Sequence, residues 1–191
     1  MSFLDKFKFS KNTTAHPANV GAFYNQHHTA FLQVYGEIIQ AFRTNNLSNI
    51  LDYQIQSIGL KKEHRVLDAG CGVCGPARYF AKNVQCTIDA VTVSEVQLQF
   101  AKDKIQEEQL QHLVQPHLHD YHLVDKLFPK ETFDIAYFLE SFGHSTDKEK
   151  LLRAIWKVLK PGGEVYIKDL FRRISNNKFV QFKIDGEIKN Q

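Results

Sequence analysis

Residues 65–82 read RVLDAGCGVCGPARYFAK, with Asp68 two positions ahead of Gly70, then Gly72 and Gly75, and Cys71 and Cys74 between the glycines. Glycine loses more conformational freedom on folding than any other residue, so this spacing marks a turn where the backbone bends sharply or is approached closely. Further along, Glu140 and His144 stand four apart. One helical turn would bring them to one face, where such a pair can take a proton from a reacting group or stabilise positive charge on it. Three chemistries fit the glycine segment: a dinucleotide loop, a Cys-x-x-Cys redox or metal site, and a loop for S-adenosylmethionine.

Gly70-Cys71-Gly72-Val73-Cys74-Gly75 satisfies G-x-G-x-x-G between a strand-like and a helix-like segment, a pattern that brings a ligand to a helix N-terminus. A nicotinamide oxidoreductase would use the same turn, and Asp89 lies near the distance expected of a ribose-binding carboxylate. Asp68 opposes that assignment, because a carboxylate beside the first glycine repels a pyrophosphate and attracts an ammonium. The thiols fit a metal or dithiol site poorly. No second pair completes a zinc site, Cys86 falls inside a strand pattern, and a redox dithiol needs a loop that nothing else claims. Small residues filling a tight turn are the expectation for Cys71 and Cys74.

The surrounding elements must hold that turn. Residues 1–20 are polar and without pattern, a loose segment. Residues 21–60 read as a helical cap: in AFLQVYGEIIQAFR, Phe31, Val34, Tyr35, Ile38, Ile39 and Phe42 recur at three- and four-residue steps, and a second helix follows, capped by Ser48 or Asn49 and ended by Gly59. From residue 61 strands and helices alternate. HRVLDAG, CTIDAVTV, VQPHLHD, FDIAYFLE and EVYIKDLF are strand-like. PARYFAKNV, SEVQLQFAKDKIQEEQ and DKEKLLRAIWKVLK are helical, with Ser94 and Gln97 at capping-box spacing and Pro161-Gly162-Gly163 stopping the last. This alternation predicts an α/β, Rossmann-like, doubly wound and mostly parallel sheet with helices on both faces.

Composition leaves the function classes open but narrows them. The 191 residues, 43% hydrophobic and 24% charged, suit one globular domain. A net charge of +3 with both signs interspersed forms no basic stripe, so no nucleic-acid partner is expected. No apolar run approaches the roughly 18 residues of a membrane helix, so no membrane partner is expected either. Three cysteines without a secretory pattern point to a cytoplasmic location. His27, His28, His112, His117, His119 and His122 have no acidic or thiol partner at ligand spacing, and no metal is expected.

DAGCGVCG (68–75) resembles the first motif of class I S-adenosylmethionine-dependent methyltransferases. AVTVSEVQLQFAK (90–102) is similar to the second-strand segment of the subgroup that methylates small molecules and lipids. HD (119–120), FDIAYFLESFGHS (133–145) and LKPGGEVYIKD (159–169) resemble the family's third-strand aspartate, fourth strand and turn before strand five, in the family's order. The resemblance implies that S-adenosyl-L-methionine is the cofactor, with Asp68, Gly70, Cys71 and Gly72 around its amino-acid portion. Thr92, Val93 and Gln97 would lie at the ribose, in place of the acidic residue many members use, and Asp120 with the Tyr121 backbone N–H at the adenine. Glu140 and His144 would be catalytic, and Tyr24, from a cap similar to the subgroup's, would touch the sulfonium region or the acceptor. The implied function is methyl transfer to carbon, nitrogen or oxygen of a small molecule.

By the family pattern the C-terminal strands are incomplete. The residues after Phe171 hold at most one short strand, FVQFKID, and a homo-oligomer could cover the resulting sheet edge. A non-catalytic or truncated S-adenosylmethionine-binding module is therefore an alternative, as is the nicotinamide oxidoreductase that Asp68 disfavours.

Overall fold

The structure, a computed structural model, describes residues 17–40 and 46–171. Residues 1–16 of the expected loose segment and the FVQFKID strand lie outside the described residues.

Five strands form one sheet: β1 (Arg65–Ala69), β2 (Thr87–Thr92), β3 (Val114–Leu118), β4 (Phe133–Leu139) and β5 (Leu159–Lys168). Their order is β3-β2-β1-β4-β5 and every pairing is parallel. Alternation along β1 explains the layers. Val66 points into a core that holds Ile88, Ile135 and Tyr137 from the sheet with Ala77, Phe80, Ala101 and Ile105 from helices. Leu67 and Ala69 point into the opposite core, with Val91, Ala136 and Phe138 against Leu151, Ala154, Ile155 and Val158. The first core is covered by α2 (Leu47–Ile58), α3 (Gly75–Val84) and α4 (Glu95–Glu107), the second by the short α5 (Val124–Leu127) and α6 (Lys148–Val158). The chain reverses its winding at β1, between β2 and β4, and that switch point is where an open parallel sheet leaves a crevice.

Local chemistry sets the boundaries. Ser94 caps α4 by accepting from Gln97 N at 3.1 Å, and Gly59 ends α2 at φ 71°. The α2 cap is Asn46, whose side chain accepts from Ser48 N, and neither Ser48 nor Asn49 serves. α6 stops at Val158, ahead of Pro161-Gly162-Gly163, which fall inside β5 beside an irregularity in its pairing with β4.

The largest departure from the sequence pattern is in the cap. The first helix, α1 (Pro17–Tyr35), does not run on through Ile39; Gly36 turns it off in a left-handed conformation at φ 63°, its N–H bonded to Leu32 O. Residues 37–40 instead form an irregular strap across the glycine turn. A Cβ on Gly75 would overlap the Glu37 carbonyl oxygen, and Ile39 reaches the space above Gly72. The apolar periodicity of Ile38 and Ile39 thus reflects two burial sites, one in the core and one over the loop, that happen to sit at helical spacing.

Substituting Gly75→Ala should therefore push the strap off the loop. A cost of about 1–3 kcal/mol in urea unfolding is expected for such overpacking, and an unchanged midpoint would show that residues 37–40 do not pack there in solution.

Candidate cofactor and active site

At the carboxyl ends of β1, β2 and β4 lies a partly enclosed cavity that opens to solvent, the place where an open parallel sheet binds its ligands. Its floor is the glycine turn. Gly70 (φ 95°) and Gly72 (φ 55°) adopt conformations that side chains disfavour. A Cβ on Gly70 would come within 2.5 Å of the Ser141 Cβ, so the turn and the exit of β4 meet through a bare backbone. The N–H groups of Gly70 and Cys71 both bond to Val91 O, at 3.0 and 2.9 Å, tying the turn to β2.

Asp68 lines the cavity yet is only 2% exposed. Its Oδ2 accepts from the Tyr137 hydroxyl at 3.0 Å. Burial pushes its carboxyl up to about 7, against a smaller downward pull from Tyr137, and no cation among the described residues contributes to its shift. Cys71 and Cys74 are buried free thiols, and the contact with Cys74, then burial, push the Cys71 thiol well above the usual thiol range, so it stays protonated. They fill the turn as small hydrophobes.

Beyond β2, Thr92, Val93 and Gln97 line the same cavity. Gln97 Oε1 lies 3.4 Å from Thr92 Oγ1, while Gln97 Nε2 is buried without a hydrogen-bond partner among the described residues. An unmet buried donor costs about 1–3 kcal/mol, so it marks a place where a ligand acceptor fits. Asp120 and Tyr121 complete this wall. Asp120 is held below the usual carboxylate range: burial pushes it up, but hydrogen bonds from His122 outweigh that. The Tyr121 hydroxyl donates to Ser141 O at 3.2 Å.

Asp89, the carboxylate a dinucleotide would need, is already engaged. Arg65 donates to its Oδ2 at 3.0 and 2.9 Å, and His117 Nε2 meets Oδ1 at 2.9 Å.

The remaining wall comes from α1 and the exit of β4. Asn25 Oδ1 accepts from Ser94 Oγ at 2.6 Å and Val96 N at 3.3 Å, which fastens α1 to the start of α4. That anchor sets Tyr24 over the cavity, where its hydroxyl meets His144 Nε2 at 3.1 Å. Burial, and then the negative charge of Asp169, raise the Tyr24 phenol. It stays protonated at neutral pH, and the direction of its bond to Nε2 follows the tautomer of the His144 ring.

Glu140 and His144 both line the cavity, but no helical turn unites them. Glu140 is left-handed at φ 59°, and the following short turn is a 3-10 helix over Phe142–His144. Glu140 pairs with Lys168 at the end of β5, whose Nζ also donates to Gln40 Oε1 at 2.8 Å. The i, i+4 expectation fails because Asp169 Oδ2 accepts from Gly143 N at 2.7 Å and pulls the segment toward β5.

All twelve residues singled out from the sequence line this one cavity, from Tyr24 through Asp68, Gly70, Cys71, Gly72, Thr92, Val93, Gln97, Asp120 and Tyr121 to Glu140 and His144. Sequence reasoning missed Glu37, Ile39 and Gln40, which reach the cavity only because Gly36 ends α1. The glycine between two helical runs was the signal that could have found them.

Comparison with known proteins agrees with this geometry. The family model described as a methyltransferase domain matches residues 67–167, more than half of the chain. Methyltransferase GfsG of Streptomyces halstedii is 36% identical over 111 residues, 58% of this chain and 39% of that protein. The glycine/sarcosine/dimethylglycine N-methyltransferase of Actinopolyspora halophila is 32% identical over 112 residues, 59% of this chain and 20% of its own length. The chain thus spans less than half the length of these relatives. Among solved structures, the cyclase SpnF aligns with a TM-score of 0.79 at 26% identity, covering 87% of this chain and 64% of that one. The geranyl diphosphate C-methyltransferase of Streptomyces coelicolor shares the fold, at 20% identity and a TM-score of 0.59 over 74% of this chain and 53% of its own. With five motifs in order, a parallel sheet, a cavity at its switch point and a matching family model, the chain belongs to the class I S-adenosylmethionine-dependent methyltransferase family.

Proposed function

We propose that this chain binds S-adenosylmethionine in the cavity and transfers a methyl group to a small-molecule acceptor. The observation that carries this is Asp68, a buried carboxyl with a phenol beside it and no cation. Such a group is costly to ionise alone and gains from a cationic ligand. A diphosphate has the wrong charge for it.

The other residues fit the same ligand. Gln97 Nε2 offers a ribose hydroxyl the donor that nothing else uses, with Thr92 beside it. Asp120 accepts from an exocyclic amine. Gly70 and Gly72 let the amino-acid portion approach the backbone. The bound cofactor supplies a methyl group on a sulfonium that is already activated for in-line displacement. The protein's part is then alignment and exclusion of water. Tyr24, bonded to His144, closes α1 over the cavity and holds the acceptor. His144, or Glu140 from the same exit of β4, takes the acceptor's proton or faces its developing positive charge. The acceptor belongs to the class of small molecules on which the related enzymes act.

A second assignment, an S-adenosylmethionine-binding chain that performs no methyl transfer, is favoured by the similarity to a cyclase over most of this chain. Calorimetry with S-adenosylmethionine, S-adenosylhomocysteine and NAD tests the cofactor, and turnover on a metabolite panel with labelled donor separates the two assignments. Selective binding of NAD would end both.

Because Asp68 ionises near pH 7 in the free protein, a bound ammonium must draw the carboxylate form. Affinity for S-adenosylhomocysteine should level off about one unit above pH 7 and fall by up to about tenfold per unit well below 7. Asp68→Asn should remove that slope and weaken binding at pH 7.5 roughly 10- to 100-fold. A pH-independent wild type would exclude Asp68 from the ammonium site.

Once an acceptor is known, Tyr24→Phe and His144→Ala should each lower kcat by roughly 100-fold or more with cofactor affinity unchanged. Wild-type kcat in either variant would reduce that residue to packing.

A further inference from the structure

Three polar side chains are joined head to tail along the cavity wall that Asp120 and His122 share. Asp120 Oδ1 accepts from His122 N at 2.9 Å and meets His122 Nδ1 at 2.6 Å; His122 Nε2 meets Ser145 Oγ at 2.8 Å. A carboxylate only accepts, so Nδ1 carries a hydrogen, and in the neutral ring Nε2 accepts from the Ser145 hydroxyl. The order Asp–His–Ser is that of a hydrolytic triad. Ser145, however, is 3% exposed and is absent from the cavity wall, so no substrate reaches its oxygen. The chain of bonds has a different consequence. It engages Asp120 twice, both times on Oδ1, and leaves Oδ2 without a hydrogen-bond partner among the described residues, on a side chain that borders the cavity.

We infer that His122 is a positioning residue that makes the site selective for adenine. Resting on the cofactor assignment above, the mechanism is steric and electrostatic. The His122 backbone and ring together stop the Asp120 carboxylate from rotating, and Ser145 stops the ring. The second carboxylate oxygen is then fixed as an acceptor at the cavity wall. A purine with an amine at position 6 donates to it. A purine with a carbonyl there, as in hypoxanthine, presents oxygen to oxygen and is repelled. If Asp120 were free to swing, the penalty for the carbonyl would relax along with the gain from the amine. Position 122 thus sets a ratio of affinities rather than affinity as such. Nothing in the residue types of HDYHL announces this, because the bond runs to Ser145, between the exit of β4 and α6 and 23 residues away in the chain.

The test compares S-adenosylhomocysteine with S-inosylhomocysteine by calorimetry on the purified chain. Wild type should prefer the adenosyl compound at least about tenfold. His122→Phe keeps the ring volume without the donors and should reduce that preference to near unity, chiefly by weakening the adenosyl compound. His122→Asn restores an N–H close to the position of Nδ1 and should recover most of the preference. Ser145→Ala, which leaves the Asp120–His122 contact in place, should give an intermediate ratio and serves if the phenylalanine variant fails to fold. A merely structural histidine would lower both affinities together at constant ratio in all three variants, which overturns the inference. Wild type that binds the adenosyl compound without discrimination also overturns it, while leaving the cofactor assignment standing. Wild type that binds neither compound overturns both.

Discussion

The carboxyl of Asp68 sits almost out of water, with one phenolic hydroxyl for company. A group in that position costs the free protein stability at neutral pH, since the unfolded chain ionises it at no expense. The surrounding structure accepts that cost in several places. β1 carries Asp68 to the floor of the crevice, the glycine turn leaves room above it, and Tyr137, buried from β4, supplies its hydrogen bond. The choice of cofactor follows from an acidic site that repels phosphate and has no counter-ion among the described residues.

Around that site the polar groups are paired off except where the cavity needs them. Asp89 is paired with Arg65 and in contact with His117, and Glu140 is paired with Lys168. His119 Nε2 is bonded to Leu123 O. Of the three side-chain atoms buried without a partner among the described residues, His28 Nδ1, Arg78 Nε and Gln97 Nε2, the last belongs to a residue on the cavity wall. A buried donor without an acceptor is uncommon in a folded protein, and its location beside Thr92 ties the two residues to one ligand group. The histidines of the 112–122 segment, which invite a metal reading in the sequence, are thus hydrogen-bonding partners at positions 117, 119 and 122.

The cap shows how remote elements are brought to the chemistry. Asn25 gives α1 a fixed point on α4, and Gly36 turns the chain sharply enough for residues 37–40 to cross the glycine turn. Tyr24 from α1 and Ile39 from the strap both line the cavity, and the Tyr24–His144 bond joins α1 to the turn that follows β4. Gln40 and Gln54, both buried, extend the same contact to α2 through a bond of 2.7 Å.

Some of this was legible without coordinates because it depends on local periods and local chemistry. The five strands, the α3, α4 and α6 helices, the Ser94 cap and the Gly59 stop are short-range properties, written in alternation, three- and four-residue steps and turn residues. Asp68 beside glycines implied an ammonium ligand by charge alone. What no local pattern carries is a contact between segments far apart in the chain. Helical spacing alone placed Glu140 beside His144, yet Lys168 and Asp169, from the end of β5, pull that segment into a different shape. The same spacing ran α1 through Ile39, where burial over Gly72 and Gly75 favours a turn at Gly36. The bond from His122 to Ser145 depends on how α6 and the segment leading into it seat against the turn that follows β3. Composition and period select the elements; which side chains meet across them is decided by packing, because a burial site created by two distant segments has no period in either one.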